Sequence, residues 1–367
     1  MTQWYEVNNV EVIPSPALLV YPDRIQHNIE MMIKIAGSAD RLWPHVKTHK
    51  LPQVVQMQVD YGIRKFKCAT IAEAEMVAEN GAENVLMAYQ LVGPNVGRLC
   101  DLIEKFPKIE FSVLVDNKVI AKSLSAEAER RNVSITAFLD IDNGMHRTGI
   151  APGDEAFEIF ESINELPNMI PGGLHVYDGH IRDDDFAMRE SKCEENFKQV
   201  EVLIDRIESA GMKVPIVIAG GSPSFPVHAK HQSRILSPGT VTLWDYGYSS
   251  KFPDMNFKHA AVLLTRVVSN PGKGLTCLDL GHKSVASEMP HPRVKLFGIE
   301  KFETLTHREE HLVIKSQEHL PSIGSPLYGI PYHICPTVSL HHEVFVVENN
   351  EVVDTWEVVA RKRKITI

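Results

Sequence analysis

The stretch Lys65-Phe66-Lys67-Cys68-Ala69-Thr70-Ile71-Ala72-Glu73-Ala74-Glu75-Met76-Val77-Ala78-Glu79-Asn80-Gly81-Ala82-Glu83-Asn84-Val85-Leu86-Met87-Ala88 carries one complete cycle of strand, helix and strand. Lys65–Ala69 reads as a strand, Ile71–Asn80 as an amphipathic helix closed by Gly81, and Val85–Ala88 as the strand that follows. A glycine just past the last apolar position is the expected C-terminal signal of a helix. The same cycle runs outward in both directions. Strands are predicted at Leu42–His45, Glu110–Val115, Ser134–Ile141, Gly172–Val176, Val214–Ala219 and Ile235–Thr242, with a further helix at Glu194–Ala210 closed by Gly211. Eight strand-then-helix units over roughly 200 residues are what a closed (β/α)8 barrel of the TIM type requires. An open doubly wound sheet would want a Gly-x-Gly-x-x-Gly turn after its first strand, and none stands there.

Beyond residue 250 the pattern changes to short strands at Ala260–Val268, Leu275–Leu280, Val294–Phe297, Leu312–Ile314, Val344–Val347 and Val352–Val359. Asn270-Pro271-Gly272 and Asn349-Asn350 punctuate them, and no long helix intervenes, which predicts a smaller all-β domain. Lys and Arg number 38 against 47 Asp and Glu, a formal charge of −9 that speaks against nucleic acid as a partner. No apolar run approaches the ~18 residues that span a bilayer, so no membrane span is expected. Met1 to Ser15 contains Glu6 and Glu11, no Lys or Arg and no apolar core, which predicts a cytoplasmic protein. The five cysteines are scattered and never form a C-x-x-C pair, as reduced thiols would be.

In a β/α barrel the active site gathers at the C-terminal ends of the strands. The first strand ends in Pro44-His45-Val46-Lys47-Thr48-His49-Lys50. A lone lysine is usually a solvated charge. Lys47, however, stands between His45 and His49, where cationic neighbours and partial desolvation would depress its pKa toward a nucleophilic amine suited to Schiff-base chemistry. Ile218-Ala219-Gly220-Gly221-Ser222-Pro223-Ser224 follows the seventh strand, where barrels repeatedly bind phosphate. Gly220 and Gly221 let backbone N–H groups approach phosphate oxygens and Ser222 adds a hydroxyl, although by itself Gly-Gly-Ser is as readily a plain turn. The fifth strand ends in Asp140-Ile141-Asp142-Asn143-Gly144-Met145-His146-Arg147-Thr148-Gly149, and Arg147 is a forked, permanent cation for a cofactor oxygen or a substrate carboxylate. The sixth runs into Gly173-Leu174-His175-Val176-Tyr177-Asp178-Gly179-His180. Strand alternation sends His175 and Tyr177 to one side, and His180 lies just past the end, over the barrel mouth, as a titratable base. Any one of the 17 histidines is more often structural. Finally, His333-Ile334-Cys335-Pro336-Thr337 offers two ligands on one face if it is a strand, too few by themselves for a structural zinc site.

The segment Pro44–Lys50 closely resembles the P-H-x-K-T-H-K segment of the fold-type III pyridoxal-phosphate enzymes of the D-threonine aldolase and D-serine dehydratase family, relatives of bacterial alanine racemase. The similarity continues through Ser15-Pro16-Ala17-Leu18-Leu19-Val20, Ala69-Thr70-Ile71-Ala72-Glu73-Ala74-Glu75 and Ala88-Tyr89-Gln90-Leu91-Val92-Gly93-Pro94. It implies an alanine racemase-like barrel over 25–248 and a discontinuous β domain over 1–24 and 249–367, in a homodimer. It implies that Lys47 joins pyridoxal 5'-phosphate as a Schiff base, with His45, Arg147, Tyr177, Gly220, Gly221 and Ser222 around the cofactor. His180 is the implied base, with Tyr177 second. His333 and Cys335 would carry a divalent metal, Zn²⁺ favoured by the softness of cysteine over Mn²⁺ or Mg²⁺. The implied activity is metal-assisted cleavage of small-molecule D-β-hydroxy-α-amino acids to glycine and an aldehyde. D-serine dehydration to pyruvate and ammonia is the alternative, and an amino-acid racemase a lesser one. A non-catalytic pyridoxal-phosphate carrier would not need the β domain.

Overall fold

Thr70 shows how the sequence sets each boundary of the cycle. Its hydroxyl accepts a hydrogen bond from Glu73 N at 3.1 Å, and Glu73 Oε2 accepts one from Ala69 N at 2.6 Å. The strand Lys65–Cys68 therefore stops and the helix Ile71–Glu79 starts within two residues. The next strand is Asn84–Gln90. In the computed structural model, which describes residues 3–367, the cycle continues through strands Glu110–Val115, Ile135–Ile141, Met169–Val176, Ile216–Ala219 and Arg234–Leu236, each parallel to the one before. Residues 42–45 close the ring. Leu42 bridges Leu236 on one side and His45 bridges Lys67 on the other. Trp43 N donates to Leu236 O at 2.7 Å, His45 N to Pro238 O at 2.9 Å, and Lys67 N to Pro44 O at 2.9 Å. Pro44 has no N–H to contribute, which leaves this strand paired only intermittently. The chain thus forms the predicted (β/α)8 barrel, filled by Trp43, Leu86, Leu114, Phe138 and Ile218. Trp43 donates its indole N–H to Phe66 O at 2.7 Å and meets Phe138 edge-on with ring centroids 5.8 Å apart.

The barrel unit comprises residues 30–47, 52–239 and 362–367, and a second unit 1–29, 48–51 and 240–361. In the second unit the strand Ala17–Val20 lies inside the sheet, antiparallel to Ala261–Gly272 and parallel to Glu343–Glu348. Its four side chains are all buried, so this β domain is discontinuous in sequence. Strands Glu303–His307 and Pro326–Pro331 are absent from the sequence-based expectation. The first is a polar edge strand without an apolar alternation; the second is bounded by prolines and interrupted by Gly329, all of which read as breakers. The predicted strand Ile235–Thr242 shortens to Arg234–Leu236, since Pro238 cannot donate, and Thr240–Thr242 is a 3-10 turn. Asn270-Pro271-Gly272 ends a strand instead of separating two, and Gly274, at φ +72°, makes the turn. The helix predicted at Glu194–Ala210 begins earlier, as Phe186–Ser209, because Asp185 caps it. His333 caps a helix, Ile334–Leu340, which corrects the strand reading of His-x-Cys; Pro336 is tolerated in a first helical turn, where no N–H bond is lost. Among the described residues no helix is long and apolar enough to cross a membrane.

His49 in the second unit is buried; its Nδ1 accepts from Leu51 N at 3.1 Å and its Nε2 has no hydrogen-bond partner among the described residues. Burial pushes its pKa down to about 3, the Leu51 hydrogen bond opposing and the Lys50 charge assisting. A histidine whose folded pKa lies below its ordinary 6.5 takes up its proton first in the unfolded chain. Its stabilising effect is complete above pH 6.5 and is lost as pH falls from there toward 3, by at most ~1.4 kcal/mol per unit. Denaturant titrations at pH 7 and pH 5 are expected to register this loss, and His49→Gln to flatten it.

Candidate active site

The inward-pointing residues at the strand ends of the barrel surround a cavity of about 370 Å³. His45, Lys47, Lys67, Arg147, His175 and Tyr177 line it. Lys47 is half-buried in the 3-10 turn Val46–Thr48, and its backbone N–H donates to His45 Nδ1 at 3.3 Å, which fixes that imidazole beside it. The Arg147 guanidinium stands 5.0 Å from the centre of the Tyr177 ring. Deeper in the wall, Lys67 Nζ is 3.3 Å from His175 Nε2, and His175 Nδ1 is 2.7 Å from Asp140 Oδ1. Asp140 Oδ2 accepts from Gln90 Nε2 at 2.7 Å and from Thr148 Oγ1 at 3.0 Å. Burial pushes the Asp140 pKa up, but the hydrogen bonds from His175, Gln90 and Thr148 outweigh it and hold the carboxylate below its ordinary value. Burial and the Lys67 charge hold His175 below its ordinary value against the pull of Asp140. A neutral His175 beside a carboxylate carries its proton on Nδ1, which leaves Nε2 to accept from Lys67. Lys67 itself is pushed down to about 7, first by burial and then by the Lys47 and Arg147 charges, with Asp140 and Asp178 opposing.

Lys47, His45, Arg147 and Tyr177 are therefore brought together as cavity walls. The Gly220-Gly221-Ser222 turn packs beside them. A Cβ on Gly221 would lie 2.7 Å from Tyr177 Cε2, and one on Gly220, at φ +76°, would lie 2.5 Å from His228 Cδ2. Only glycine allows that approach. The amides are nonetheless spent inside the fold: Gly220 N donates to Val176 O at 2.9 Å and Gly221 N to Ser224 Oγ at 3.1 Å. Ser222 Oγ accepts from Gly239 N at 3.1 Å. Both glycine amides are thus hydrogen-bonded within the fold, and the turn lies against the Tyr177 ring. His180 is exposed, lies outside the cavity lining and has Nε2 3.1 Å from Asn196 Nδ2. The expected cationic pair around Lys47 is absent too, since His49 is held neutral by burial. Lys67, on the wall of the same cavity, is pushed down by its surroundings. It escapes a sequence reading that looks only at strand ends; the available signal was a charge inside the otherwise apolar core of a strand, Phe66-Lys67-Cys68.

In the second unit His333 Nδ1 is hydrogen-bonded to the Glu288 carboxylate, and Cys335 Sγ lies 3.2 Å from Thr48 Oγ1 and 3.5 Å from Thr240 Oγ1. Burial lowers the His333 pKa, but its hydrogen bonds with Cys335 and Glu288 and the Asp245 charge outweigh burial and raise it to about 9. One imidazole and one thiol within hydrogen-bonding reach form a donor set suited to a borderline ion such as Zn²⁺.

A second group of candidate ligand atoms, Asp178, Cys193 and His228, is fully buried in the barrel unit. Arg234 Nη1 donates to His228 Nδ1 at 3.1 Å, so His228 carries its proton on Nε2 and donates to Asp178 Oδ2 at 2.7 Å. Ser224 Oγ donates to Asp178 Oδ1 at 2.5 Å. With both imidazole nitrogens engaged and an arginine against them, the group is a hydrogen-bonded support for the Gly220–Ser224 turn and offers a cation no imidazole lone pair.

The sequence profile of the alanine racemase N-terminal domain matches residues 20–247, and that of a putative serine dehydratase domain matches residues 260–347. A D-threonine aldolase of Arthrobacter is 25% identical over 358 residues, covering 95% of this chain and 93% of its own. A 3-hydroxy-D-aspartate aldolase of Paracoccus denitrificans is 26% identical over 366 residues, covering 95% and 92%. The crystal structure of D-threonine aldolase from Filomicrobium marinum superposes with a TM-score of 0.85 at 25% identity, over 97% of this chain and 98% of that one.

Proposed function

The chain belongs to the alanine racemase N-terminal domain family, and on that premise we propose that it is a metal-assisted, pyridoxal-phosphate-dependent lyase of D-configured β-hydroxy-α-amino acids. The products are glycine and an aldehyde. The observation that carries this reading is the Lys47 amine on the wall of a cavity that also presents the Tyr177 ring and the fixed charge of Arg147. The residues fit the cofactor. A volume of about 370 Å³ lies within the ~300–1,000 Å³ usual for small-molecule sites, and the wall supplies an amine for an aldehyde, an aromatic face for a ring and a cation for an anionic oxygen. When bound, the cofactor supplies an electron sink for bond cleavage at the substrate α-carbon. Lys47 would hold it, Tyr177 would face its ring, and Arg147 would fix an oxygen or the substrate carboxylate. His45, steadied by the Lys47 backbone, would keep the turn that carries the amine in place. His333 and Cys335 would hold a divalent ion, which contributes Lewis acidity toward a hydroxyl.

The two aldolases similar to this chain are named for substrates that share a D-configured α-carbon and a β-hydroxyl, which supports the substrate class. The match of residues 260–347 to a putative serine dehydratase domain, a segment containing His333 and Cys335, favours D-serine dehydration as the second reading. Product analysis with D-threonine and D-serine side by side separates them. Acetaldehyde and glycine are expected; pyruvate and ammonia from D-serine would install the second reading, and no turnover of either would remove both. Chelation is expected to abolish turnover while leaving the yellow cofactor band intact, and full activity after demetallation would remove the metal from the reaction.

A further inference from the structure

The cavity wall carries positive charge that the fold does not balance. Lys47, Lys67 and Arg147 line it, and among the described residues no carboxylate does. Lys67 is the most enclosed of the three, 3% exposed, on the barrel strand Lys65–Cys68. A buried ammonium forfeits its hydration unless an anion pairs with it. Lys67 Nζ instead meets the neutral imidazole of His175, whose Nε2 is 3.3 Å away. The two acids whose charge reaches it are committed elsewhere: Asp140 to His175, Gln90 and Thr148, and Asp178 to Ser224 and His228. The surroundings also indicate which anion the wall would take. Of the charges acting on Lys67, that of Lys47 is the strongest. Lys67 Nζ lies 5.7 Å and the Arg147 guanidinium 5.0 Å from the centre of the Tyr177 ring. Lys67 thus stands near both the amine that would take the cofactor aldehyde and the aromatic face that would meet its ring. In pyridoxal phosphate the ring carbon next to the one bearing the aldehyde carries a phenolic oxygen, which is ionised at neutral pH.

We propose that Lys67 is a cofactor-binding residue whose ammonium pairs with the phenolic oxygen of pyridoxal phosphate, with His175 and Asp140 as its positioning residues. The inference rests on the reading above that Lys47 holds the cofactor. Asp140 fixes the His175 ring through Nδ1, and His175 Nε2 accepts one N–H of Lys67, which settles where the amine stands. Without an anion, burial and the Lys47 and Arg147 charges hold Lys67 down to about 7 against the pull of Asp140 and Asp178. An arriving anion opposes those first three effects, so at about pH 8 its binding draws a proton from solvent onto the amine. The unloaded protein is thereby relieved of a buried, unpaired ammonium, and the charge forms only where it has a partner. The substrate carboxylate is the other anion that this wall could meet, and the experiments separate the two.

The first test uses the parent chain alone. Titration calorimetry at about pH 8, in buffers of different ionisation heats, is expected to show about one proton more taken up with pyridoxal phosphate than with its 3-deoxy analogue, which lacks only the phenolic oxygen. Equal proton uptake with the two ligands would overturn the proposal. The second test compares Lys67→Met and Lys67→Gln with the parent, and turnover is not its readout. Both variants are expected to bind pyridoxal phosphate ~10–100-fold more weakly and the 3-deoxy analogue within about threefold of the parent. Part of their yellow absorbance is expected to move to the near-ultraviolet form in which the phenolic oxygen keeps its proton. Unchanged cofactor affinity, or an equal loss for both ligands, overturns the assignment. A change confined to the KM for D-threonine overturns it in favour of the substrate carboxylate. A parent protein without the yellow band would instead refute the Lys47 reading, so the two failures are distinguishable.

Discussion

Lys47→Ala is expected to remove the yellow absorbance that the reconstituted protein acquires with pyridoxal phosphate, and to lower turnover below about a thousandth of the parent rate, a loss of ~4 kcal/mol of transition-state stabilisation. The reason is local. Lys47 sits in a short 3-10 turn whose backbone is fixed to His45, and it lines the cavity. Lys67 shares the cavity, but its amine is engaged 3.3 Å from His175 Nε2. Reduction of the reconstituted parent with borohydride, followed by peptide mapping, is expected to find the cofactor on Lys47, and a label on any other lysine would sink the assignment. Because Lys47 is half-buried and the barrel core is built from Trp43, Leu86, Leu114, Phe138 and Ile218, the substitution is expected to leave stability within ~0.5 kcal/mol.

Asp178→Ala is expected to have the largest effect on stability. The carboxylate is fully buried and receives hydrogen bonds from Ser224 at 2.5 Å and His228 at 2.7 Å, with Cys193 Sγ 3.6 Å away. Removing it strands those donors in the core, and His228 remains pressed against Arg234. The cost of breaking such a buried set by deleting one partner is ~3–5 kcal/mol. Ser224 also accepts from Gly221 N, so the turn beside Tyr177 is expected to loosen and cofactor affinity to fall with stability. Burial raises the Asp178 pKa, but His228, Ser224 and Cys193 together bring it below its ordinary 3.8. A carboxyl with a depressed folded pKa stabilises above its unfolded value and loses that contribution as pH falls through the folded one. The deficit of Asp178→Ala is therefore expected to be full at neutral pH and to shrink only below pH 3.8. Denaturant titration measures it directly, and a deficit under ~1 kcal/mol would show that the network is not what supports the turn.

The barrel was legible from the chain because its signal is local and repeated. Ile71–Glu79 is an apolar-faced helix between two apolar strands, with capping side chains at its start and glycine at its end, and neighbours of the same kind follow. The lysine of the first strand end was legible for the same reason: its motif is contiguous. Strands such as Pro326–Pro331 were not, since their stability comes from pairing with Ala261–Gly272 and Val294–Leu296, residues distant in sequence, which offset the local cost of proline and glycine. His333-x-Cys335 was misread locally because two residues of spacing suit a strand face and a helix start alike.

What the sequence determined by itself is thus the alternation that makes a barrel and the contiguous motifs at its strand ends, because both depend on spacing along one chain. Only the tertiary structure decided which amine has a shifted acidity, which histidines are neutral and which glycine amides are already spent. Those properties depend on what burial removes from water and on partners far apart in sequence, as Lys67, Asp140 and His175 are.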